Sequence, residues 1–202
     1  AACRLLPLLG EKGITKVTAS VGAEQEYFLV DDKYYQERMD LKLTGRTLFG
    51  AMAPKGQELE DHYFGSLKRK VSAFMKDLDH ELWKYGIPSK TKHNEVAPAQ
   101  HEVACVYSKV NITTDNNHLL MQIMQDIAKK HGLRCLLHEK PFAGVNGSGK
   151  HDNWSVITNT GINLFNPGAN PAENKPFIAT LACTIKAVDD YADLLRMSIA
   201  RS

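Results

Sequence analysis

No stretch of the 202 residues is apolar for long enough to cross a bilayer. Charge of one sign is missing too: 25 basic against 23 acidic residues leave a formal net charge of +2. That balance offers no field for a nucleic-acid backbone, and no nucleic-acid-binding motif occurs. The one dense cationic run, Lys68-Arg69-Lys70, falls in a helical pattern and reads as a solvated face. Cys3, Cys105, Cys135 and Cys183 are scattered without a CxxC pair. They read as reduced thiols of a cytoplasmic protein rather than a disulfide framework, and no secretory signal opens the sequence. Neither GxGxxG nor GxxxxGK[ST] is present, so a Rossmann or P-loop nucleotide site has no support. Internal repeats and low-complexity linkers are absent as well.

What is there suits one large domain or part of one, with 43% hydrophobic residues to build its core. The sequence begins with Ala1 and runs at once into Leu5, Leu6, Leu8 and Leu9; a helical pattern continues to Ala200-Arg201-Ser202 without a stop signal. The expectation is an interior piece of a longer polypeptide. Alternation from Ile14 to Val30 predicts strand, with Glu24, Glu26, Phe28 and Val30 on one face and a turn at Asp31-Asp32. Residues 40–57 read as loop. Tyr63, Leu67, Val71, Phe74, Leu78, Leu82 and Tyr85 recur at helical spacing and predict one long helix closed by Gly86. Two short strands broken at Pro98-Ala99 follow, then a helix from Thr114 or Asp115 to Gly132 and a buried strand over 133–137. A glycine- and asparagine-rich loop leads to a strand over 154–158. Beyond the turn at Asn166-Pro167-Gly168, a last helix carries Phe177, Leu181, Ile185, Val188, Ala192 and Leu195 on one side. Strands and helices do not alternate in βαβ units, which fits α+β with an antiparallel sheet.

Three segments carry chemistry. Glu24 and Glu26 point the same way from a strand, about 6 to 7 Å apart; an exposed strand face accounts for that pair equally well. In His93-Asn94-Glu95-Val96-Ala97-Pro98-Ala99-Gln100-His101-Glu102, a reversal at Pro98-Ala99 sets Glu95 nearly opposite Glu102. Like charges about 5 Å apart destabilise a sheet unless a cation relieves them. Pro-Ala makes a poor tight turn, so a wider loop and approximate opposition are expected. The third segment, Phe142 to Ser155, brackets three glycines and then His151, a residue type that often binds metal. Its glycines let backbone N–H groups approach an anionic or zwitterionic ligand.

Together these segments resemble, in order, the catalytic motifs of the glutamine synthetase family. The most specific are Asn146-Gly147-Ser148-Gly149-Lys150-His151 preceded by Lys140-Pro141, and Asn94-Glu95-Val96-Ala97-Pro98-Ala99-Gln100-His101-Glu102. Gly22-Ala23-Glu24-Gln25-Glu26 and Lys150-His151 are similar to the long bacterial type III branch. The resemblance implies a partial catalytic domain over residues 1–202, with an antiparallel curved sheet, an incomplete barrel, flanked by long helices. It implies two divalent cations, Mg2+ or Mn2+, and ATP as co-substrate. Glu26, Glu95 and Glu102 correspond to holders of the cation that assists glutamate binding and ammonia attack, which makes them the catalytic set. Glu24 and His151 correspond to ligands of the cation at the ATP phosphates. Asn146 and Gly147 match contacts to glutamate, and Asn153 and Ser155 match contacts to ATP. Many relatives carry His-x-His-x-Ser where this chain has His151-Asp152-Asn153-Trp154-Ser155.

The implied reaction passes through γ-glutamyl phosphate, from which ammonia displaces phosphate. The implied partners are glutamate, ammonia, ATP and identical subunits in a ring, with a dodecamer expected; neither membrane nor nucleic acid is among them. The family's arginine-rich segment, remaining cation-binding glutamate, flap and small N-terminal domain have no counterpart in these residues. This polypeptide alone is therefore expected to be inactive although its parent is an enzyme. A ligase acting on another amine and a non-catalytic structural relative are the alternatives.

Overall fold

The computed structural model describes residues 1–199, so the helical pattern expected at Ala200, Arg201 and Ser202 lies outside the described residues. In chain order the elements are α1 (Ala2–Leu5), a 3-10 turn (Leu6–Leu9), β1 (Val17–Asp31), α2 (Asp32–Glu37), α3 (Met39–Thr44), a second 3-10 turn (Glu58–Glu60), α4 (Asp61–Phe64) and α5 (Arg69–Lys84). Then come β2 (Ser89–Asn94), β3 (Gln100–Cys105), β4 (Ser108–Lys109), α6 (Val110–Lys130), β5 (Leu133–Leu136) and β6 (Lys150–Thr158). A third 3-10 turn (Pro171–Glu173), α7 (Lys175–Asp190) and α8 (Ala192–Met197) end the described chain. The elements form two compact units. The expected class, α+β with an antiparallel sheet and long helices, is the one found.

The larger unit holds Gly22–Tyr107 and Asn111–Asn153. There β1 pairs antiparallel with β3, from Glu24 opposite Ala104 to Phe28 opposite Gln100, and with β5, from Phe28 opposite Leu136 to Asp31 opposite Leu133. On its other side β3 takes β2, with His93 opposite Glu102. Tyr27, Leu29 and Val103 enter a core built with Val71, Phe74, Met75, Leu78 and Leu82 of α5 and Leu120, Ile123, Met124 and Ile127 of α6. These helix residues recur every three or four positions, so one stripe per helix is apolar and the rest stays wet. The opposite face of β1 is left to Glu24 and Glu26, followed by Phe28, which packs with Leu41, Ala97 and Leu136 in a second cluster.

The smaller unit comprises Ala1–Val21, Ser108–Val110 and the chain from Trp154 onward. Ser20 and Val21 of β1 pair with Lys109 and Ser108 of β4, and Leu6, Ile14 and Leu164 form its core. The Asn159 side chain accepts from the N–H groups of Thr15 and Lys16 at 2.9 and 3.1 Å and donates to Gly13 O at 2.9 Å.

Several boundaries differ from the sequence expectation. Tyr63 belongs to a separate helix, because Gly65 is extended after α4 and Asn94 Nδ2 ties down the carbonyls of Gly65 and Ser66. Asp31 ends β1 where α2 begins, its carboxylate accepting from Lys70, instead of making a turn, and 40–44 are helical. Buried Asp40 stabilises that corner: its carboxylate takes two bonds from Arg38 and the N–H groups of Leu41 and Leu48, which holds its pKa well below the usual carboxylate range. Helix α6 starts at Val110, ahead of Thr114 and Asp115. The last helix breaks at Tyr191 into α7 and α8, and its apolar side, including Ile185, Val188 and Leu194, is exposed.

Leu78 is 1% exposed. Leu78→Ala is expected to lower the unfolding free energy by about 2–5 kcal/mol in a denaturant titration, through lost burial and a residual cavity.

Candidate functional site

The register of three strands sets charged groups side by side. Glu26 of β1 lies directly opposite Glu102 of β3, and Glu102 lies opposite His93 of β2. Cross-strand pairs bring side chains to about 5 Å, so two carboxylates share one strip of the face away from the main core. His93 Nε2 stands 3.2 Å from Glu102 Oε1, and His93 Nδ1 stands 3.5 Å from Glu95 Oε1. Glu95 is not on β2 as expected. It follows the strand's end, where its N–H donates to Gln100 O at 2.9 Å, and the chain turns at Pro98 and at Ala99, whose φ is +61°. The anticipated wider loop is present, and Glu102 faces His93 across the ladder while Glu95 reaches back to the same imidazole.

His151 and Asn153 are on β6, which begins earlier than the sequence predicted. His151 Nδ1 is 3.6 Å from Glu24 Oε2 and 3.7 Å from Glu26 Oε1. Asn153 Nδ2 donates to Glu24 Oε1 at 2.6 Å. Two sets of side chains, Glu24 with Glu102 and His151, and His93 with Glu95 and Glu102, each offer three ligand atoms within 4.8 Å of one another. Ser155 belongs to the smaller unit, where its hydroxyl accepts from Asn163 Nδ2 at 3.3 Å.

Burial raises the pKa of Glu95, and the charges of Glu102 and Glu26 raise it further, against the pull of His93. Glu102 is raised by burial first; Glu24 and Glu26 add to that and His93 opposes it. This is the signature of negative charge crowded without enough neutralisation. Carboxylate oxygens with one or two imidazoles, and no thiolate among them, form a donor set that fits a hard divalent cation.

The glycine segment closes against the same face. A Cβ on Gly147 would lie 1.8 Å from Glu139 O, a backbone atom, so that position has no room for a side chain, and one on Gly149 would lie 2.7 Å from Glu26 Oε2 and displace that carboxylate. Gly149 N–H instead donates to Glu26 Oε2 at 2.8 Å, and Glu26 N–H donates to Gly149 O at 3.0 Å. Asn146 is exposed and held by Gln57, which accepts from its N–H at 2.6 Å and donates to its Oδ1 at 3.2 Å.

Of the residues anticipated from sequence, Glu24, Glu26, Glu95, Glu102 and His151 are thus in one neighbourhood, with Asn153 joined to Glu24. Sequence reasoning missed His93, Gln100 and Gln57. Period two was a usable signal for Gln100, which alternates with Glu102 on β3, and cross-strand pairing with Glu102 was one for His93. Gln57 comes from a distant loop, and nothing local announces it.

Comparison with known proteins accords with this arrangement. The model of the glutamine synthetase catalytic domain matches residues 2–193, across both units. A glutamine synthetase of Butyrivibrio fibrisolvens is 60% identical over 199 residues, 98% of this chain and 28% of the relative. The type-3 glutamine synthetase of Dictyostelium discoideum is 52% identical over 185 residues, 92% of this chain and 25% of the relative. The chain therefore spans about a quarter of the length of these curated relatives. Among solved structures, a Plasmodium falciparum glutamine synthetase determined by cryo-electron microscopy superposes with a TM-score of 0.55 at 19% identity, covering 81% of this chain and 34% of that one. The shared architecture is a mixture of helices and an antiparallel sheet. By its motifs, its fold and the family model it matches, this chain belongs to the glutamine synthetase catalytic-domain family and is similar to type-3 members.

Proposed function

We propose that residues 1–202 are part of one catalytic domain of a glutamate–ammonia ligase, which amidates L-glutamate to L-glutamine at the expense of ATP. The observation that carries this reading is the convergence of Glu24, Glu26, Glu95 and Glu102 with His151 beside a glycine segment packed against Glu26. Mg2+ and Mn2+ suit this donor set, with two ions per site. Glu26, Glu95 and Glu102 would hold one, and Glu24 and His151 the other. Bound there, the cations neutralise charge on the transferring phosphoryl group and hold donor and acceptor in line.

The chain's own residues do the rest. Asn146 and the Gly147 backbone orient the glutamate, whose side-chain carboxylate attacks the γ-phosphoryl group of ATP, breaking its bond to the β-phosphate oxygen to give γ-glutamyl phosphate and ADP. Asn153 and Ser155 contact ATP. Ammonium gives up its proton at an acidic pocket, and the ammonia so formed displaces phosphate from γ-glutamyl phosphate. As in the family it belongs to, we assign the parent to a cytoplasmic ring of identical subunits, with twelve as the expected number.

The test is γ-glutamyl hydroxamate formation by the full-length protein with ATP and Mn2+. Glu95→Ala and Glu102→Ala are each expected to lower turnover by at least roughly a hundredfold, because metal charge stabilisation is worth several kcal/mol. Circular dichroism should be unchanged; normal turnover in both variants would defeat the proposal. Residues 1–202 alone should show no turnover in the same assay, and robust activity there would refute the view that the site is incomplete.

A second prediction follows from carboxylate crowding. Groups whose folded pKa lies above the ordinary 4.5 bind more protons folded than unfolded, so they cost stability as pH rises above that value. Without metal, Glu102→Gln should therefore melt at a higher temperature than the parent at pH 7, and the difference should shrink toward pH 5. With Mn2+ the order should reverse, as thermal melts with and without the ion would show.

A further inference from the structure

Between the carboxylate strip and the glycine segment lies Gln100, 1% exposed, on the same face of β3 as Glu102. Its Nε2 donates to Glu26 Oε2 at 3.1 Å and to Gly147 O at 2.6 Å, while its Oε1 accepts from Ala97 N–H at 2.9 Å. A primary amide has two N–H donors and one carbonyl, so all of its polar groups are engaged. Its orientation is fixed as well, because a flipped amide would set N–H against the Ala97 N–H. Gln100 and Gly149 together commit Glu26 Oε2 to hydrogen bonds, leaving Oε1 toward His151. On the other side, Gly147 cannot shift toward Glu139, whose carbonyl already crowds it.

We propose that Gln100 is a positioning residue that couples the cation site to the glutamate site. It rests on the ligase reading, in which Glu26 holds a cation and Gly147 touches glutamate. A cation drawing on Glu26 pulls the amide through Oε2, and the same planar NH2 group aligns the Gly147 carbonyl and its peptide plane. Ligand on either side then prepares the other. A merely structural glutamine would support both sites without linking them.

Isothermal titration of the full-length protein with Mn2+ and with glutamate, each alone and in the presence of the other, reads this link without turnover. In the parent, saturating Mn2+ should tighten glutamate binding by about tenfold, and glutamate should tighten Mn2+ binding by the same factor, as linkage demands. In Gln100→Met, each ligand should still bind alone, while the mutual factor falls to within about twofold of unity. If Gln100→Met fails to fold, Gln100→Leu, which likewise removes both donors and adds no charge, is held to the same outcome. Undiminished mutual tightening in the folded variant would overturn the coupling role and leave the ligase reading standing. A parent that binds neither Mn2+ nor glutamate would overturn the ligase reading and the coupling role together.

Discussion

The pairing of Glu26 with Glu102 across β1 and β3 is the constraint on which the rest of the larger unit turns. Two carboxylates set opposite each other in a ladder repel, and partial burial withdraws the water that would screen them. The sheet tolerates this because its other face is secured. Tyr27, Leu29 and Val103 are buried against α5 and α6, and a slip of one residue would exchange the apolar face with the charged one. Hydrophobic burial on one side thus fixes the acidic register on the other. Stability and chemistry are written on opposite faces of the same strand.

Around that strip the chain supplies carboxamide, backbone and imidazole groups to the carboxylates. Glu24 has an amide from Asn153, Glu26 has a backbone N–H and a buried carboxamide, and Glu102 has an imidazole. These contacts orient the oxygens without cancelling their charge, since most of the donors are neutral. The result is a concentrated negative site with defined geometry, which is what a hard cation selects.

Much of this was legible from sequence where periodicity and local chemistry agree. Glu24, Glu26 and Phe28 share a face because alternation in a strand is strict, and the stripes of α5 and α6 were readable at three- and four-residue steps. The misses share a physical cause, which is tertiary contact overriding local pattern. Tyr63 keeps helical phase with Leu67 and Val71, yet Asn94 pins the carbonyls of Gly65 and Ser66 and the helix restarts at Arg69. The residues ahead of Trp154 read as loop, but the backbone exchange between Glu26 and Gly149 draws Lys150 to Asn153 into β6. Glu95 left its strand because the positive φ of Ala99 opens a loop wider than a tight hairpin. The apolar side of α7 and α8 was readable as a stripe, although in this chain most of it faces solvent.

Gly147 and Gly149 are hemmed in by Glu139 O and Glu26 Oε2, and this sets the terms on which the segment can diverge. Even a methyl group at Gly147 would overlap a backbone carbonyl, whereas one at Gly149 would push aside the tip of the Glu26 side chain. A side chain at Gly149 would therefore be felt as a displaced Glu26 carboxylate, and one at Gly147 as a displaced backbone at Glu139.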